Sequence, residues 1–143
     1  MTSAAADSPP AMPKEAINPL GAVPPLGPYS HAIRFGDLLF CSGQVPIDPA
    51  KPGGAVEGDI RAQTRRVLEN VKLILASEGL GFESVLKSTV FMTNLAESQG
   101  MNEVYAEYFP APYPARSTVQ VSALPRGASV EIEVLAAFGA KTP

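Results

Sequence analysis

The pattern of polar and apolar positions between Tyr29 and Ser42 predicts a β-hairpin. Side chains alternate on both sides of Gly36-Asp37, a dipeptide compatible with the positive φ angles of a two-residue turn. Such a turn places Ala32 opposite Cys41 and therefore decides which side chains share a face. We predict that helices cover a face carrying Ile33, Phe35, Leu38 and Phe40, and that the other face carries Ala32, Arg34, Leu39 and Cys41.

Two longer segments have the periodicity of amphipathic helices. The first is expected to begin after the N-cap residue Asp59 and to end at Gly79. The second is expected from about Glu97 to Phe109, where a run of prolines follows. The residues predicted to be buried are Ile60, Thr64, Val67, Leu68, Val71, Ile74 and Leu75 in the first helix and Met101, Val104, Tyr105 and Tyr108 in the second.

Three more segments are predicted strands, namely Val85 to Met92, Arg116 to Val121 and Ser129 to Ala137. The order β-β-α-β-α-β-β is typical of an α+β fold with two helices on one face of a mixed sheet. If the last two strands pair, their core face carries Ser117, Val119, Val121, Val130, Ile132 and Val134. Their other face then carries Arg116, Thr118 and Gln120 beside Glu131 and Glu133.

Seven of the fifteen prolines fall in the first 28 residues, so few backbone amides there can donate to a sheet or helix. We therefore expect residues 1–26 to form an extended, flexible arm and residues 27–143 to form one domain. An arm lying along a partner subunit is the alternative. The sheet face away from the helices is expected to pack against copies of the chain, because we assign apolar residues to it: Leu39, Cys41, Leu135 and Ala137.

Composition excludes several classes of function. Eleven basic against fourteen acidic residues give a net charge of −3, and the basic residues are scattered, which disfavours a nucleic-acid partner. One cysteine and one histidine exclude an intrachain disulfide and a Cys/His metal cluster. No apolar run is long enough to span a bilayer. A single thiol without a recognisable secretory segment is typical of a cytoplasmic protein.

Arg116 is the first candidate for chemistry. It follows the Tyr113-Pro114 bend on a strand, where a guanidinium can bind a small carboxylate through two parallel hydrogen bonds. The alternative is a structural ion pair with Glu131 or Glu133, which is the more common outcome for an arginine in this position. A carboxylate close to a bound substrate could orient a water molecule or carry a proton.

The other candidates are weaker when each is taken alone. Gly43 lets a ligand approach the backbone beside Ser42, or simply ends a strand. Tyr29, after Gly27-Pro28, lines a site or forms a structural corner, and Asn102 is a solvated residue of the second helix. Cys41 and His31 lie on opposite faces of the hairpin and cannot form a nucleophile–base pair, and a Ser42–His31 pair lacks a third orienting group.

Several short motifs, in chain order, resemble those of one protein family. They are Gly27-Pro28-Tyr29-Ser30, Ser42-Gly43-Gln44-Val45-Pro46, Gln63 through Asn70-Val71, Pro114-Ala115-Arg116-Ser117, Leu124-Pro125 and Glu131-Ile132-Glu133. They resemble the Rid/YjgF family of reactive-intermediate (enamine/imine) deaminases over about Ile17 to Phe138. The resemblance implies a chorismate-mutase-like fold and a homotrimer, in which three sheets form a central barrel and the sites lie between subunits.

The resemblance also implies roles for the candidate residues. Arg116 would bind the carboxylate of a 2-imino acid such as 2-iminobutanoate or 2-iminopropanoate, and Glu131 would place the attacking water. Tyr29 and the backbone of Ser42 and Gly43 would contact the substrate, with Asn102 supplied by a neighbouring subunit. Water addition would then release a 2-keto acid and ammonia without a cofactor. Two positions depart from the family pattern: Thr118 stands where some members have cysteine, so it joins the substrate-binding residues without a thiol role, and His31 stands where glutamine is common.

A second hypothesis belongs to a different class of function. The chain would be a non-catalytic trimeric module that binds small carboxylates or a partner protein in the same cleft. It predicts binding of a 2-keto acid without turnover. The family name has also been attached to endoribonuclease activity, which the net charge of −3 and the single histidine disfavour.

Overall fold

The computed structural model describes residues 8–140. These residues fold into a mixed β-sheet with two helices packed on one face. Within these residues, six strands run in the spatial order β1-β2-β3-β6-β4-β5, and only the β4–β5 pair is parallel. Short 3-10 turns lie at Phe82–Ser84, Leu95–Glu97 and Pro125–Gly127. The strands are β1 (Glu15–Ile17), β2 (Ala32–Phe35), β3 (Leu38–Gln44), β4 (Val85–Met92), β5 (Ala115–Gln120) and β6 (Val130–Ala137), and the helices are α1 (Ile60–Ser77) and α2 (Ser98–Tyr108). The predicted α+β class is confirmed.

The β2–β3 hairpin has the predicted register, with Ala32 opposite Cys41 and a φ of 61° at Gly36 in the turn. The prediction of its covered face was wrong. Leu39 is fully buried under the helices, whereas Phe35 and Phe40 are 44% and 47% exposed on the open face. Both faces of the hairpin carry apolar residues, so alternation alone could not decide which face the helices cover.

The helices form as predicted. Asp59 caps α1, where its Oδ1 accepts a hydrogen bond from the Ala62 N–H at 2.9 Å, and the helix ends before Gly79. The predicted stripe of α1 is buried throughout, as are Met101, Val104 and Tyr105 of α2, whereas Tyr108, also predicted to be buried, is half-buried. Each large apolar side chain buried here contributes roughly 1.5–3 kcal/mol relative to an exposed one, so this helix-to-sheet contact holds the domain together.

Strand β5 corrects the predicted sheet order. It pairs with β4 at the sheet edge, and β6 lies between β3 and β4. Arg116 and Thr118 are opposite the buried Ser88 and Val90, so they lie on the helix-covered face and not beside Glu131 and Glu133. The physical reason is composition: the apolar alternation of β6 suits a central strand, whereas the polar residues of β5 suit an edge.

Part of the predicted arm belongs to the folded domain. Glu15–Ile17 forms β1 and pairs antiparallel with β2, and Val23 is buried in a second apolar cluster with Val45, Ile47 and Ala128. Residues 1–7 of the predicted arm lie outside the described residues. In the described part of the chain, no helix combines the length and the apolar character needed to cross a membrane.

The open face of the sheet carries a group of apolar residues, but its members differ from those expected. Leu39 and Cys41 belong to the core instead. Leu135 and Ala137 lie on the open face, opposite Phe40 and Leu38 respectively. The exposed phenylalanines therefore take the place of the two residues that the sequence assigned to this surface.

Candidate functional site

A cleft of about 350 Å³ opens on the side of the sheet that the helices leave free. We call it the Glu131 cleft. Five of its residues come from the candidates or their motif neighbours: Tyr29, Ser42, Gly43, Glu131 and Glu133. Leu26, Val45 and Pro125 complete its wall. The structure thus brings together four of the predicted site residues, from the segment before β2, from β3 and from β6.

A β-bulge shapes the floor of this cleft. The β3–β6 register shifts between Cys41 and Gln44, so Ser42 and Gly43 together stand opposite Glu133. The Glu131 carboxylate lies against Gly43, and a Cβ atom built at position 43 would overlap it. Bulges are enriched beside active sites because they redirect side chains. Glycine is therefore required at position 43 for the observed placement of Glu131.

Glu131 is a half-buried acid with an altered proton affinity. Burial raises the pKa of the Glu131 carboxyl, and the charge of nearby Glu133 raises it further. Two acids close together in a partly desolvated cleft favour retention of a proton by one of them. A carboxyl with a raised pKa returns its proton less easily, and accepts one more easily, than an exposed glutamate does.

The polar groups around Glu131 are held by local hydrogen bonds. The Ser42 hydroxyl donates to the Ser30 carbonyl at 2.6 Å, and the Tyr29 hydroxyl accepts from the Leu26 N–H at 3.0 Å. Tyr29 remains 46% exposed at the mouth of the cleft. These bonds leave the hydroxyl oxygens of Ser42 and Tyr29 with unused hydrogen-bonding capacity toward a ligand.

His31 has a role that the sequence did not reveal. Its buried ring has Nε2 2.5 Å from the Val23 carbonyl and Nδ1 3.0 Å from the Asn18 Oδ1. The backbone N–H of His31 also donates a hydrogen bond to the Asn18 Oδ1 at 3.0 Å. His31 therefore ties residues 18–23 to the beginning of the hairpin, beside the Glu131 cleft.

No nucleophile–base pair is formed by the chain's single cysteine and single histidine. Cys41 is buried, and this burial raises the pKa of its thiol to about 12, so the reactive thiolate is suppressed. The ring of His31 is engaged by Val23 and Asn18, as described above. Cys41 is therefore a buried residue of the core. In the described residues, no group of three or more His, Cys, Asp or Glu side chains is placed to hold a metal ion.

Arg116 lies in a separate depression, which we call the Arg116 hollow. It has a volume of about 280 Å³ and is lined by Tyr105, Ala106, Tyr113, Pro114 and Arg116. The guanidinium carbon of Arg116 lies 4.8 Å from the centre of the Tyr105 ring.

The remaining two candidates belong to the Arg116 side of the molecule. Asn102 is exposed one helical turn before Ala106, and therefore lies on the same face of α2. Thr118 is half-buried two residues after Arg116 on β5, so its side chain shares the strand face of Arg116. Neither composition nor residue spacing in the sequence predicted that Asn102 and Thr118 lie on the Arg116 side of the molecule.

The predicted site residues thus form two groups in one chain. Strand β4 separates the strands that carry Arg116 and Glu131, and the two side chains lie on opposite faces. The predicted direct neighbourhood of Arg116 and Glu131 on one sheet face was therefore wrong. The Glu131 cleft supplies acids and hydroxyls but no cation, whereas the Arg116 hollow supplies a cation but no acid.

The chain is similar to several known proteins. The family model described as Endoribonuclease L-PSP matches residues 20–138. A RutC family protein of Pyrococcus horikoshii is 50% identical over 123 residues, which cover 86% of this chain and 97% of that protein. Reactive Intermediate Deaminase A, chloroplastic, of Arabidopsis thaliana is 45% identical over 123 residues, covering 86% of this chain and 65% of that protein. The crystal structure of E. coli TdcF with bound serine has a TM-score of 0.79 and 38% identity, covering 87% of this chain and 98% of that one.

Proposed function

The chain belongs to the Ribonuc_L-PSP family, which includes Rid and RutC family proteins, and on that premise we propose that it hydrolyses reactive 2-imino acids to 2-keto acids and ammonia. The family resemblance found in the sequence is confirmed. Some relatives are named reactive intermediate deaminases. The proposed substrates are 2-iminobutanoate, 2-iminopropanoate or close analogues, and no cofactor is used.

The proposed site is shared between copies of the chain. Arg116 and Glu131 lie too far apart within one chain to touch the same small molecule. A second copy, packed through the open sheet face, can bring its Arg116 hollow to the Glu131 cleft of the first. The exposed Phe35 and Phe40 make that face suitable for burial, because apolar area removed from water stabilises an assembly. We propose the homotrimer expected from the resemblance, and the cytoplasm as its compartment.

Each group in the proposed site has a chemical task. The Arg116 guanidinium binds the substrate carboxylate, ideally through two parallel hydrogen bonds. Glu131 holds the attacking water and accepts one of its protons while the water oxygen bonds to the imine carbon. That proton then goes to the imine nitrogen, which gives the carbinolamine. As the carbon–oxygen double bond forms, the carbinolamine hydroxyl loses its proton to Glu131, which passes it to the amino nitrogen, so the carbon–nitrogen bond breaks and ammonia leaves. Tyr29, the Ser42-Gly43 backbone, Asn102 and Thr118 line the substrate.

The observation that carries the proposal is that Arg116 is exposed and has no acidic partner in the described residues. Its guanidinium is exposed beside a hollow and has no carboxylate partner among residues 8–140, so the structural ion pair considered in the sequence does not form. An arginine that is charged, accessible and unpaired is suited to an anionic ligand. Since a spontaneous hydrolysis is being accelerated, orientation of substrate and water is the main requirement.

The test compares ammonia release from 2-iminobutanoate generated in situ. We expect the wild type to accelerate it and Arg116→Ala to lose at least about 100-fold in kcat/KM, because a charged hydrogen-bonding partner of the carboxylate is removed. Arg61→Ala is the matched control, since Arg61 is also exposed but pairs with Glu103 on α2. Equal acceleration by wild type and Arg116→Ala would refute the proposal.

The two other functions make different predictions in the same preparation. The non-catalytic module predicts saturable binding of 2-oxobutanoate with no ammonia released above the spontaneous rate. An endoribonuclease predicts RNA cleavage, with binding that weakens steeply as salt increases. We expect neither RNA cleavage nor such salt dependence from a chain of net charge −3.

A further inference from the structure

The guanidinium of Arg116 is supported by an aromatic ring instead of an acid. Its central carbon lies 4.8 Å from the centre of the Tyr105 ring, and in the described part of the chain it forms no hydrogen bond or ion pair. Two other exposed arginines, Arg61 and Arg65, are paired with Glu103 and Glu107. Contact with a ring face attracts a cation while its N–H groups stay free in the plane of the guanidinium.

The Tyr105 ring is held in place by other aromatic rings of the core. It is stacked on Phe109, with ring centres 4.0 Å apart and an angle of 17° between the ring planes. The rings of Phe109 and Phe82 pack edge to face, with their centres 4.8 Å apart. Since Phe109 covers one face of Tyr105, Arg116 lies over the other. Tyr105 is only 6% exposed, so the ring has little freedom to turn away from Arg116.

A hydrogen bond connects the same ring to the sheet. The Tyr105 hydroxyl and the Ser88 hydroxyl are 2.7 Å apart and buried. Ser88 is the residue directly opposite Arg116 in the β4–β5 ladder. This hydrogen bond links the orientation of the Tyr105 ring to the part of the sheet that carries Arg116. Arg116 is therefore held at its backbone by the β4–β5 ladder and at its guanidinium by the ring.

We propose that Tyr105 is a positioning residue for carboxylate binding, and that it acts through Arg116. The ring holds the guanidinium in place and the Ser88 hydroxyl holds the ring, while no acid competes with the substrate for the N–H donors. The substrate in this inference, a 2-imino acid, rests on the proposed function. The broader ligand class, a small monocarboxylate, does not depend on that function. Tyr105 touches neither the imine nor the water in this proposal.

The alternative is that Tyr105 only fills the core. A binding measurement separates the two roles, because packing alone does not couple to Arg116. We expect Tyr105→Leu to raise the KM for the imino acid and the Kd for 2-oxobutanoate about tenfold, with kcat within about threefold of wild type. Tyr105→Phe keeps the ring face and is expected to stay within about threefold of wild type in both constants.

The matched control is Tyr108→Leu. Tyr108 lies on the same helix and also meets an aromatic ring, Phe82, but its hydroxyl donates to Glu69 and it does not contact Arg116. We expect the KM and Kd of Tyr108→Leu to equal those of the wild type. A rise of the same size in Tyr105→Leu and Tyr108→Leu would overturn the proposal, since it would show a general packing effect.

A double-mutant cycle completes the test. The Kd for 2-oxobutanoate is measured by NMR titration for wild type, Tyr105→Leu, Arg116→Ala and the double variant. If Tyr105 acts through Arg116, Tyr105→Leu has no further effect in the Arg116→Ala background. An undiminished tenfold effect there, or an unchanged Kd in folded Tyr105→Leu, would overturn the proposal.

Two further outcomes are covered by the same design. If Tyr105→Leu does not fold, Ser88→Ala takes its place, with a Kd about threefold higher expected in the wild-type background only. An equal Kd in Ser88→Ala and wild type would then count against the proposal. If the wild type binds 2-oxobutanoate but releases no ammonia, the proposed function fails while the role of Tyr105 is still decided by the Kd values.

Discussion

Arg116 and Glu131 lie on opposite faces of one sheet, with strand β4 between their strands. Arg116 stands opposite Ser88, whose side chain is buried under the helices, whereas Glu131 stands opposite Phe91 and lies against Gly43 on the open side. Two strand spacings alone separate them by about 10 Å, and the thickness of the sheet adds to this. A small imino acid cannot bridge them in one chain, so a shared site requires two chains.

Subunit complementation follows from this separation. In the proposed homotrimer, Arg116→Ala and Glu131→Gln are each expected to be nearly inactive. When the two variants are unfolded together and reassembled, about a quarter of the interfaces receive Arg116 from one chain and Glu131 from the next by random assortment. We expect ammonia release near that fraction of the wild-type rate. Reassembly of mixed trimers without any recovery of activity would show that both residues must come from the same chain.

Gly43→Ala is expected to displace the Glu131 carboxylate. A Cβ at position 43 overlaps this carboxylate, so the acid must move away from the bulge, and the water that we propose it holds moves with it. Misplaced catalytic groups cost about 100-fold in rate, so kcat should fall by about that factor. The control is Gly53→Ala, because nothing lies within 4 Å of a Cβ there. Steady-state kinetics on both variants checks this, and a Gly43→Ala enzyme as active as Gly53→Ala would contradict it.

Glu133→Gln is expected to shift the pH dependence of turnover. The Glu131 pKa is raised first by burial and then by the charge of Glu133, so removing that charge lowers the pKa of Glu131. If ionised Glu131 accepts the proton of water, activity falls as the pH drops through this pKa. The acidic limb of the kcat profile should therefore move to lower pH in Glu133→Gln. A limb that stays in place, or moves to higher pH, would exclude Glu131 as the group responsible.

Two neighbours in β3 should have different mutational effects. Leu39→Ala removes a fully buried side chain and is expected to cost about 2–5 kcal/mol in the free energy of unfolding. Phe40→Ser alters a side chain that is 47% exposed on the open face, so it should dissociate the proposed trimer while the monomer stays folded. Denaturant titration and light scattering after size-exclusion chromatography measure the two effects. A Phe40→Ser protein that remains fully trimeric would place the subunit interface elsewhere.

Local patterns predicted the secondary structure well. The bounds of β4 agree with the prediction, α1 begins after its Asp59 cap, and the β2–β3 register is as expected. These features depend on neighbours in the chain: a turn, a cap and a repeat of apolar positions. The chemical candidates were also visible as residue types, because a strand arginine after proline and a glycine at a strand end are local signals.

The sequence could not predict which strands would be neighbours. We paired β5 with β6 because they follow one another, and this put Arg116 beside Glu131. In the structure β6 pairs with β3 and β4, and β5 lies at the edge beyond β4. The choice depends on how much apolar surface each arrangement buries across the whole sheet, which is a sum over distant residues. The same limit explains why the covered face of the hairpin was assigned wrongly.

By itself, the sequence determined the helices, most of the strands and the hairpin register, and it offered candidate residues for binding a carboxylate or moving a proton. Only the tertiary structure decided that Gly43 makes room for Glu131, that His31 fixes residues 18–23, and that Tyr105 lies under Arg116. The first set follows from interactions within a few residues of the chain. The second comes from contacts between residues far apart in sequence, whose positions are set only when the sheet and helices pack together.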